Sequence, residues 1–479
     1  MNIQSLSVPR TGSLLSATLV LLLTGCATFS PDGGFGTVET VAKDRLGKDA
    51  KWLKSDQDGD TVDSLVKQRL AKSLDVDDAV QIALLNNRGL QAIYAELGIA
   101  EADLVRAGRL QNPGFLFRRT RQGGDTLIER TFTANLIQWL TAPLVGRIEG
   151  RRFEGTQLLV ANEALRVAAE TSKAYVDTVA AQQSVEYLGQ VKDAAESSAD
   201  LANRMVRAGN WSKLDQAREQ VFYADATAQL ARARQVAVGS REKLTRLMGL
   251  WGEDARFKLP DRLPDLPKDP LVLSDMEKMA LRDRLDVQAA KLEAAGLASS
   301  LGLTRTTRFV NVLDLGYIRN SQTGQPRETG YEIGVEIPLF DWGSARVAKA
   351  EAIYMQAVNR VAEKAVNARS EVREAYQDYM TAYDLAKHYR DEIVPLRKKI
   401  SDENQLRYNG MLISVFELLA DAREQVTAVN AYIQALRDFW MAQTELQAAL
   451  GGKLPATPAS MNTPALPGPQ DSMKGQHHE

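Results

Sequence analysis

Apolar and small residues recur three and four positions apart along most of the chain. Between Leu158 and Val179 these spacings alternate, which is the heptad pattern of a coiled-coil seam. The pattern predicts four long helices, at about 147–207, 212–250, 345–406 and 414–450. Pro395 predicts a kink in the third helix, because proline lacks the backbone N–H that continues a helix. Helices of this length need antiparallel neighbours or other subunits to bury their apolar stripes.

Four short segments alternate apolar and polar residues instead, and this period of two predicts β-strands. In the clearest segment, Ile128, Phe132 and Leu136 lie on one side and polar residues on the other. The predicted strands cover about 114–122, 127–138, 309–319 and 330–340. Each has about ten residues, the length of a tilted membrane-spanning strand. The same alternation is also typical of hairpins that cap a soluble helical bundle.

The number of predicted strands implies an oligomer if the strands span a membrane. Natural membrane barrels begin at about eight strands, and open sheet edges are not viable in lipid. One chain supplies four predicted strands, so several chains must share one barrel. Trp139 follows the second predicted strand, and Phe340 and Trp342 close the fourth, where interfacial aromatic residues would lie.

The chain contains two copies of one helix–strand–strand–helix–helix unit. The pentapeptide Ala-Arg-Glu-Gln-Val occurs at residues 217–221 and again at 422–426, each time after a glycine-containing turn. The first copy opens with a helix predicted from near Asp77 to Gln111. The second opens at Ser274, where Glu277 has the spacing of a capping box. The second copy carries four extra residues between its turn and the pentapeptide, around Ser414 to Leu418.

The ends of the chain predict targeting and a polar tail. An apolar run before Leu23-Thr24-Gly25-Cys26 resembles a bacterial lipoprotein signal, in which the cysteine becomes the lipidated first residue and carries acyl chains such as palmitate. An ordinary signal peptide with an incidental cysteine is the alternative. The predicted organisation is 1–25 signal peptide, 26–74 periplasmic linker or irregular packing arm, 75–250 first repeat, 251–270 linker, 271–451 second repeat and 452–479 disordered proline-rich tail.

Composition removes several classes of function. The 479 residues have a formal net charge of −2, so nothing indicates nucleic acid as a partner. There is one cysteine and there are three histidines, with no spacing typical of a metal site; His477 and His478 lie in the tail and are expected to be inert. No phosphate-binding loop, nucleophile elbow or dinucleotide fingerprint occurs. We therefore expect no enzyme, no cofactor and no resident metal.

Three strings together with the duplication resemble the TolC-like outer-membrane efflux family, in its lipoprotein branch. They are NNRGLQAIYAELGIAEADLVRAGRLQNPGF (86–115), GYEIGVEIPLFDWGSARVAKAEA (330–352) and IVPLRKKISDENQLRYNG (393–410). The resemblance implies a mainly α fold with a small transmembrane β part. Three such chains would form a homotrimer with a twelve-stranded β-barrel and an α-barrel. It implies a lipid-anchored channel in the outer membrane of a Gram-negative bacterium, whose periplasmic end binds an adaptor protein and, through it, an inner-membrane pump.

The same resemblance assigns the periplasmic entrance to the two helix–turn–helix tips. It implies tip and adaptor-contact positions at Gly209, Asn210, Ser212, Asn409, Gly410 and Ser414, and gate candidates at Asp215, Tyr408 and Glu417. A ring of acids around a narrow pore would attract cations. Asp215 and Glu417 also suit an alternative role as solvated or capping residues after a turn. Glycine is expected to supply the left-handed conformation that such a turn requires.

Two classes of function remain from the sequence. The first is the passive outer-membrane exit duct, in which the pump supplies energy and the trimer supplies a water-filled path. The second is a non-pore coiled-coil lipoprotein of the periplasm, such as an adaptor or envelope spacer. The alternating strands favour the duct, because a spacer has no need of them. The sequence does not identify the cargo among metal ions, drugs, solvents and peptides, nor the particular pump.

Overall fold

The computed structural model describes residues 28–309 and 312–454. In chain order its elements are α1 Gly36–Leu46, α2 Asp56–Leu70, α3 Val76–Asn86, α4 Arg88–Ala107, β1 Gly114–Gln122, β2 Asp125–Asn135, α5 Leu136–Arg207, α6 Lys213–Met248, α7 Met276–Asp283, α8 Leu285–Thr306, β3 Leu313–Gln322, β4 Glu328–Val335, α9 Ser344–His388, α10 Val394–Asn409 and α11 Val415–Ala449. The predicted signal peptide, Cys26 and most of the predicted tail with its histidines lie outside the described residues. The mainly α fold with a small four-stranded sheet is the one that the sequence predicts.

The segment before the first repeat is helical rather than irregular, which corrects the prediction of a linker or irregular arm. Ser55 begins α2 with a capping box, in which its hydroxyl accepts from the Asp58 N–H and the Asp58 carboxylate accepts from the Ser55 N–H. Phe35, just before α1, is buried and packs edge-on against Tyr94 of α4 at 4.8 Å between ring centroids. The sequence missed α1 and α2 because each buries only a few apolar residues, too few to show a period.

The opening helices are broken where the sequence predicts continuity. Asn87 ends α3 and begins α4, and its side chain accepts from the Leu90 N–H at 2.9 Å while donating to the Leu247 carbonyl at 2.8 Å. The second repeat breaks in the same way at Arg284, whose backbone is extended. Its first helix starts at Met276 after Asp275, which has φ 57°, so the predicted start at Ser274 is wrong.

The four strands form one antiparallel sheet in the order β1-β2-β3-β4, so each repeat supplies one hairpin. Strand β2 ends at Asn135 rather than near 138, because the Asn135 side chain accepts from the Gln138 N–H at 3.0 Å and begins helix α5. Strand β4 ends at Val335 rather than near 340, shortly before Pro338, which has no N–H to continue a ladder. Strand β3 begins at Leu313, four residues later than predicted from 309.

Helices α9 and α10 are joined by a π-helical turn over Tyr389–Ile393, directly before Pro395. A π turn is a common way for a helix to accommodate a missing intrahelical hydrogen bond. The irregularity that the sequence predicts at Pro395 therefore occurs one turn earlier in the chain. No helix in the described ranges is both long enough and apolar enough to cross a bilayer.

The chain divides into two compact units that do not follow the repeats. Unit 1 contains the described chain up to Thr171 with Thr245–Phe257 and Ala280–Glu371, and unit 2 contains Ser172–Leu244, Lys258–Met279 and the described chain from Val372. Unit 1 therefore holds the sheet and a core built from α1, α3, α4 and the first part of α5. Unit 2 holds both tip turns. Each compact unit contains residues of both repeats. The division of the chain into two repeats therefore describes its sequence, and as a division into domains it stays a prediction.

Candidate functional site

The first tip turn follows α5 and has the hydrogen bonding of a Schellman motif. The Asn210 N–H donates to the Met205 carbonyl at 2.9 Å, and the Gly209 N–H donates to the Val206 carbonyl at 3.0 Å. Gly209 has φ 77°, the left-handed conformation in which a side chain costs free energy. A Cβ built at Gly209 would meet no atom within 4 Å, so the glycine is required for its backbone and not for space.

The second tip turn has the same hydrogen bonds but places a methionine at the left-handed position. The Leu412 N–H donates to the Arg407 carbonyl at 2.8 Å, and the Met411 N–H donates to the Tyr408 carbonyl at 2.9 Å. Met411 has φ 57°, whereas Gly410 has φ −82°. The expectation that Gly410 supplies the positive φ is wrong, because the helix continues one residue further than in the first turn. Asn409 is correspondingly the last helical residue.

Both predicted gate acids make capping interactions within the chain. The Ser414 hydroxyl accepts from the Glu417 N–H at 3.3 Å, and the Glu417 carboxylate accepts from the Ser414 N–H at 3.1 Å, which completes a capping box. The Ser212 hydroxyl accepts from the Asp215 N–H at 3.2 Å and donates to the Asp215 carboxylate at 2.6 Å. The capping alternative therefore holds for both acids, and a gating role stays a prediction beside it.

The tips expose apolar surface. Met411 is 92% exposed and Leu412 is 77% exposed, while Tyr408 is partly exposed. Exposed side chains of this size are usually covered by a partner when they lie together. Tyr408 and Glu417 flank the second tip turn, and Asp215 follows the first; all three belong to unit 2. Their role in a pore stays a prediction.

Sequence reasoning missed an ion pair between the two copies of the pentapeptide. Glu219 of α6 is buried with 1% of its side chain exposed, and its carboxylate accepts from the Arg423 guanidinium of α11 at 2.6 Å. The Ser198 hydroxyl of α5 donates to the other Glu219 oxygen at 2.8 Å. The Arg423 guanidinium also lies 4.6 Å from the centre of the Phe222 ring. The dipeptide Arg-Glu recurs in both copies of the pentapeptide. This recurrence is the feature of the sequence from which an ion pair between the copies could have been predicted.

A small apolar cluster surrounds this ion pair. Val191, Ala195 and Ala226 form its buried centre, with Phe222 and Val426 packed against them. Tyr187 joins the same cluster, and burial raises the pKa of its hydroxyl to about 12, so the ring is neutral at physiological pH. Apolar surroundings weaken the screening of the Glu219–Arg423 pair by water. The two hairpins of unit 2 are therefore joined by a charged contact in which the Glu219 carboxylate is buried and the Arg423 side chain is 35% exposed.

The predicted interfacial aromatics lie beyond the strands and not at their last residues. Trp139 lies in the first turn of α5, where its indole N–H donates to the Gln111 carbonyl at 3.3 Å. Phe340 is 99% exposed in the segment that follows β4. Trp342 packs edge-on against Phe309 at 6.4 Å between ring centroids. All three stay predictions as residues of a membrane interface.

The register of the sheet aligns one aromatic residue from each strand. Phe115 pairs with Phe132, Phe132 pairs with Tyr317, and Tyr317 pairs with Tyr331. We name these four side chains the aromatic row. All four are more than two-fifths exposed. Their neighbours on the same face toward the helices include Leu315 and Ile333, which are also exposed. From the aromatic row toward the helices this face of the sheet is thus apolar and uncovered, which is the arrangement of a strand that faces lipid.

Within the described ranges, no three His, Cys, Asp or Glu side chains come together in a way that could hold a metal ion. The candidate site consists of the surfaces, turns and ion pairs described above. Its two distinctive parts are the exposed apolar sheet face in unit 1 and the capped turns in unit 2.

Comparisons with known proteins give a consistent class. Residues 277–452 match the family model of the outer membrane efflux protein. The cobalt-zinc-cadmium resistance protein CzcC of Cupriavidus metallidurans is 24% identical over 394 residues, which are 80% of this chain and 91% of that protein. Protein CyaE of Bordetella pertussis is 28% identical over 335 residues, 64% of this chain and 69% of that protein.

Solved structures share the fold at low identity. The outer-membrane channel OprN superposes with a TM-score of 0.68 and 20% identity, covering 81% of this chain and 92% of that one. The CmeC outer membrane channel of Campylobacter jejuni gives a TM-score of 0.67 and 17% identity, covering 79% and 85%. These likenesses extend over both repeats, whereas the family model matches only the second.

Proposed function

We propose that this chain, which belongs to the outer membrane efflux protein family, is the trimeric outer-membrane channel of a tripartite efflux system. The observation that carries the proposal is the four-stranded sheet with its exposed apolar face. Such a face is costly in water and favourable in lipid. The similarity to outer-membrane channels favours this duct over the alternative of a non-pore coiled-coil lipoprotein.

The edges of the sheet support sharing between chains. Within the described residues, β1 pairs only with β2 and β4 pairs only with β3, which leaves one side of each edge strand open. An open edge in lipid leaves backbone N–H and C=O groups without partners. Pairing of β4 with β1 of the next chain removes both edges, and three chains of four strands form a closed barrel of twelve.

The role that we propose for this chain is passive. The inner-membrane pump drives transport, and a periplasmic adaptor connects it to the tip turns. The exposed Met411 and Leu412 give the adaptor an apolar contact, and Asn210 and Asn409 are polar positions beside it. Gly209, Ser212, Gly410 and Ser414 serve this contact by shaping the turns.

The proposal includes lipidation of Cys26 after removal of residues 1–25. An acyl anchor adds to the membrane affinity of the barrel and does not replace it. Metabolic labelling with a palmitate analogue tests this step, with Cys26→Ser as the comparison. Equal label in the wild type and in Cys26→Ser would contradict lipidation at this residue and would leave the channel proposal standing.

Channel function is tested by recording from the purified full chain in planar bilayers. We expect discrete conductance steps from a preparation that migrates as a trimer on an unheated detergent gel. A monomeric band together with no conductance steps would overturn the proposal.

The gating role of Asp215 and Glu417 is separable from their capping role. Asp215→Asn and Glu417→Gln remove charge but keep an oxygen that accepts the capping hydrogen bond. Ser212→Ala and Ser414→Ala remove the cap but keep the charge. If the acids gate the pore, the first pair of variants loses cation preference and the second pair keeps it. Loss of cation preference in the serine variants alone would assign the effect to the cap.

A further inference from the structure

Arginines lie next to the aromatic row on the same face of the sheet, toward the hairpin loops. Arg130 pairs with Arg319 across β2 and β3, one same-face step beyond Phe132 and Tyr317. Arg119 follows on β1 at the level of Ile128, and Arg121 lies beyond it opposite Thr126. We name Arg119, Arg121, Arg130 and Arg319 the arginine belt. Two residues along a strand separate rows by about 7 Å, so Arg130 and Arg319 border the aromatic row directly, and Arg119 and Arg121 lie about 14 Å and about 20 Å beyond it.

The belt has no carboxylate partner in the described ranges. Among the described residues, no carboxylate lies within ion-pair distance of the four guanidinium groups, and Arg130 instead lies 5.9 Å from the centre of the Phe117 ring. Arg118, one position from Arg119, has its side chain on the opposite face and pairs with Glu129 at 3.3 Å. The two faces therefore differ: one neutralises its arginine within the sheet, and the other leaves its arginines unpaired.

Arg130 and Arg319 are the most informative members of the belt. Like charges directly opposite each other on neighbouring strands destabilise a sheet. The two residues come from different repeats, so the sheet places a charge from each hairpin at one level. An arrangement of this kind is stabilised by an anion that both guanidinium groups bind, and arginine matches the geometry of a phosphate with two parallel hydrogen bonds.

We propose that the arginine belt binds the phosphorylated headgroup of a membrane lipid whose acyl chains pack against the aromatic row. The inference rests on the proposed function, which puts this face of the sheet in lipid and the hairpin loops at the outer surface. A phosphate at the level of Arg130 and Arg319 continues into acyl chains at the level of Phe132 and Tyr317. On that placement the belt lies between the apolar face and the loops, where headgroups meet water, and a phosphorylated glycolipid supplies a phosphate and acyl chains in one molecule.

The test uses purified full-length trimer and a bisphosphorylated glucosamine lipid, with the same lipid after removal of its phosphates as the matched ligand. Bound lipid is counted by native mass spectrometry after titration in a neutral detergent. We expect the wild type to bind the phosphorylated lipid at least about ten-fold more tightly than the phosphate-free lipid. Each arginine near an anionic headgroup contributes a factor of about five, so Arg130→Gln with Arg319→Gln is expected to weaken binding by about twenty-five-fold.

Arg118→Gln is the control variant, because it removes one arginine from the opposite face of the same sheet. It is expected to bind the phosphorylated lipid as the wild type does. The proposal would be overturned if Arg118→Gln weakened binding of the phosphorylated lipid as much as the double variant does. It would also be overturned if the double variant bound that lipid as tightly as the wild type. Inorganic phosphate that displaces the lipid at equal concentration would show a simple anion site and would also overturn it. If the double variant does not form trimers, the two lipids are compared on Arg319→Gln and on the wild type.

Conductance of the same wild-type preparation in phosphatidylcholine bilayers separates this inference from the proposed function. A conducting trimer that binds both lipids equally overturns the lipid site and leaves the channel intact. A wild-type protein with neither trimers nor conductance overturns the channel, and the lipid site with it.

Discussion

The two tip turns of unit 2 have the same hydrogen bonds and different sequences. Each has a Schellman motif and a serine that caps the following helix, yet the left-handed residue is Gly209 in one turn and Met411 in the other. From Ser212 to the pentapeptide there are five positions, and from Ser414 there are eight. Three of the four extra residues therefore lie inside α11, and the remaining one, Gly410, precedes the left-handed residue.

The comparison shows that helix ends and helix faces are set by different constraints. The backbone groups at the end of a helix need partners, so both turns satisfy them in the same way. The extra residues then change which side of the helix the pentapeptide presents. Glu219 is buried against Arg423, whereas its counterpart Glu424 is exposed and pairs with Arg397 at 3.0 Å. Duplicated residues have thus acquired different roles without a change of residue type.

The largest loss of folding stability is expected when one partner of the Glu219–Arg423 ion pair is replaced. Arg423→Met leaves the Glu219 carboxylate buried without its cation, which typically costs about 3–5 kcal/mol. Urea unfolding of the detergent-solubilised protein measures the loss. The control is Arg218→Met at the equivalent position of the first copy, where the arginine is exposed and 3.4 Å from Asp215, with an expected cost of about 1 kcal/mol or less.

Adding Glu219→Gln to Arg423→Met removes the buried charge, and the pair is expected to recover most of the lost stability. Equal destabilisation by Arg423→Met and Arg218→Met would contradict the difference between the two copies.

The next effect concerns the left-handed residue of the first turn. Gly209→Ala forces a Cβ into the left-handed region at a cost of about 1–2 kcal/mol, although the space is open. Gly410→Ala is the control, because its φ of −82° suits alanine. The midpoint of thermal unfolding is expected to fall for Gly209→Ala and to stay close to the wild type for Gly410→Ala. A lower unfolding midpoint for Gly410→Ala than for Gly209→Ala would contradict the assignment of the left-handed position to Gly209 and not to Gly410.

The serine caps are expected to be equivalent. Ser212→Ala and Ser414→Ala each remove the acceptor for an N–H in the first helical turn, and each is expected to cost about 1 kcal/mol. Ser→Asn at the same positions keeps an acceptor and is the matched control. Amide hydrogen exchange over the first turns of α6 and α11 localises the effect. A large cost at one serine alone would show that only that turn depends on its cap.

The smallest effect is a gain of stability at the second turn. Met411→Gly removes the left-handed strain of a residue with a Cβ, and the expected gain is up to about 1 kcal/mol, partly offset by the entropy of glycine in the unfolded chain. Thermal unfolding of the trimer measures it. Loss of adaptor binding in this stabilised variant, measured with the purified adaptor, would indicate that the exposed Met411 side chain is retained for contact.

The sequence predicts the fold wherever a period is long enough to be unmistakable. Helical spacing of apolar residues locates α5, α6, α9 and α11, and alternation, weak in β1 and clean in β2, locates the four strands. It fails where one side chain decides the outcome: Asn135 ends β2 by capping α5, and Asn87 divides the opening helix by capping α4. A side-chain hydrogen bond of this kind has no periodic signature, so the ends of elements shift by several residues.

The candidate site is predictable only in part for the same reason. The spacing of Asp215 and Glu417 after their turns identifies them, but their hydrogen bonds to Ser212 and Ser414 require coordinates. The positive φ of Met411 contradicts the residue preference on which the prediction for Gly410 rested. The contact of Glu219 with Arg423 joins residues far apart in the chain, and pattern alone does not show which of two identical pentapeptides is buried.

The three residues added within α11 also set a helical phase. At 3.6 residues per turn they rotate the pentapeptide by about 300° and carry it about 4.5 Å along the axis relative to its cap. The two hairpins therefore have equivalent capping residues, but their pentapeptides lie on different sides of the helix and at different distances from the cap. In the proposed trimer, six hairpins would alternate between two phases, so the entrance has threefold and not sixfold symmetry.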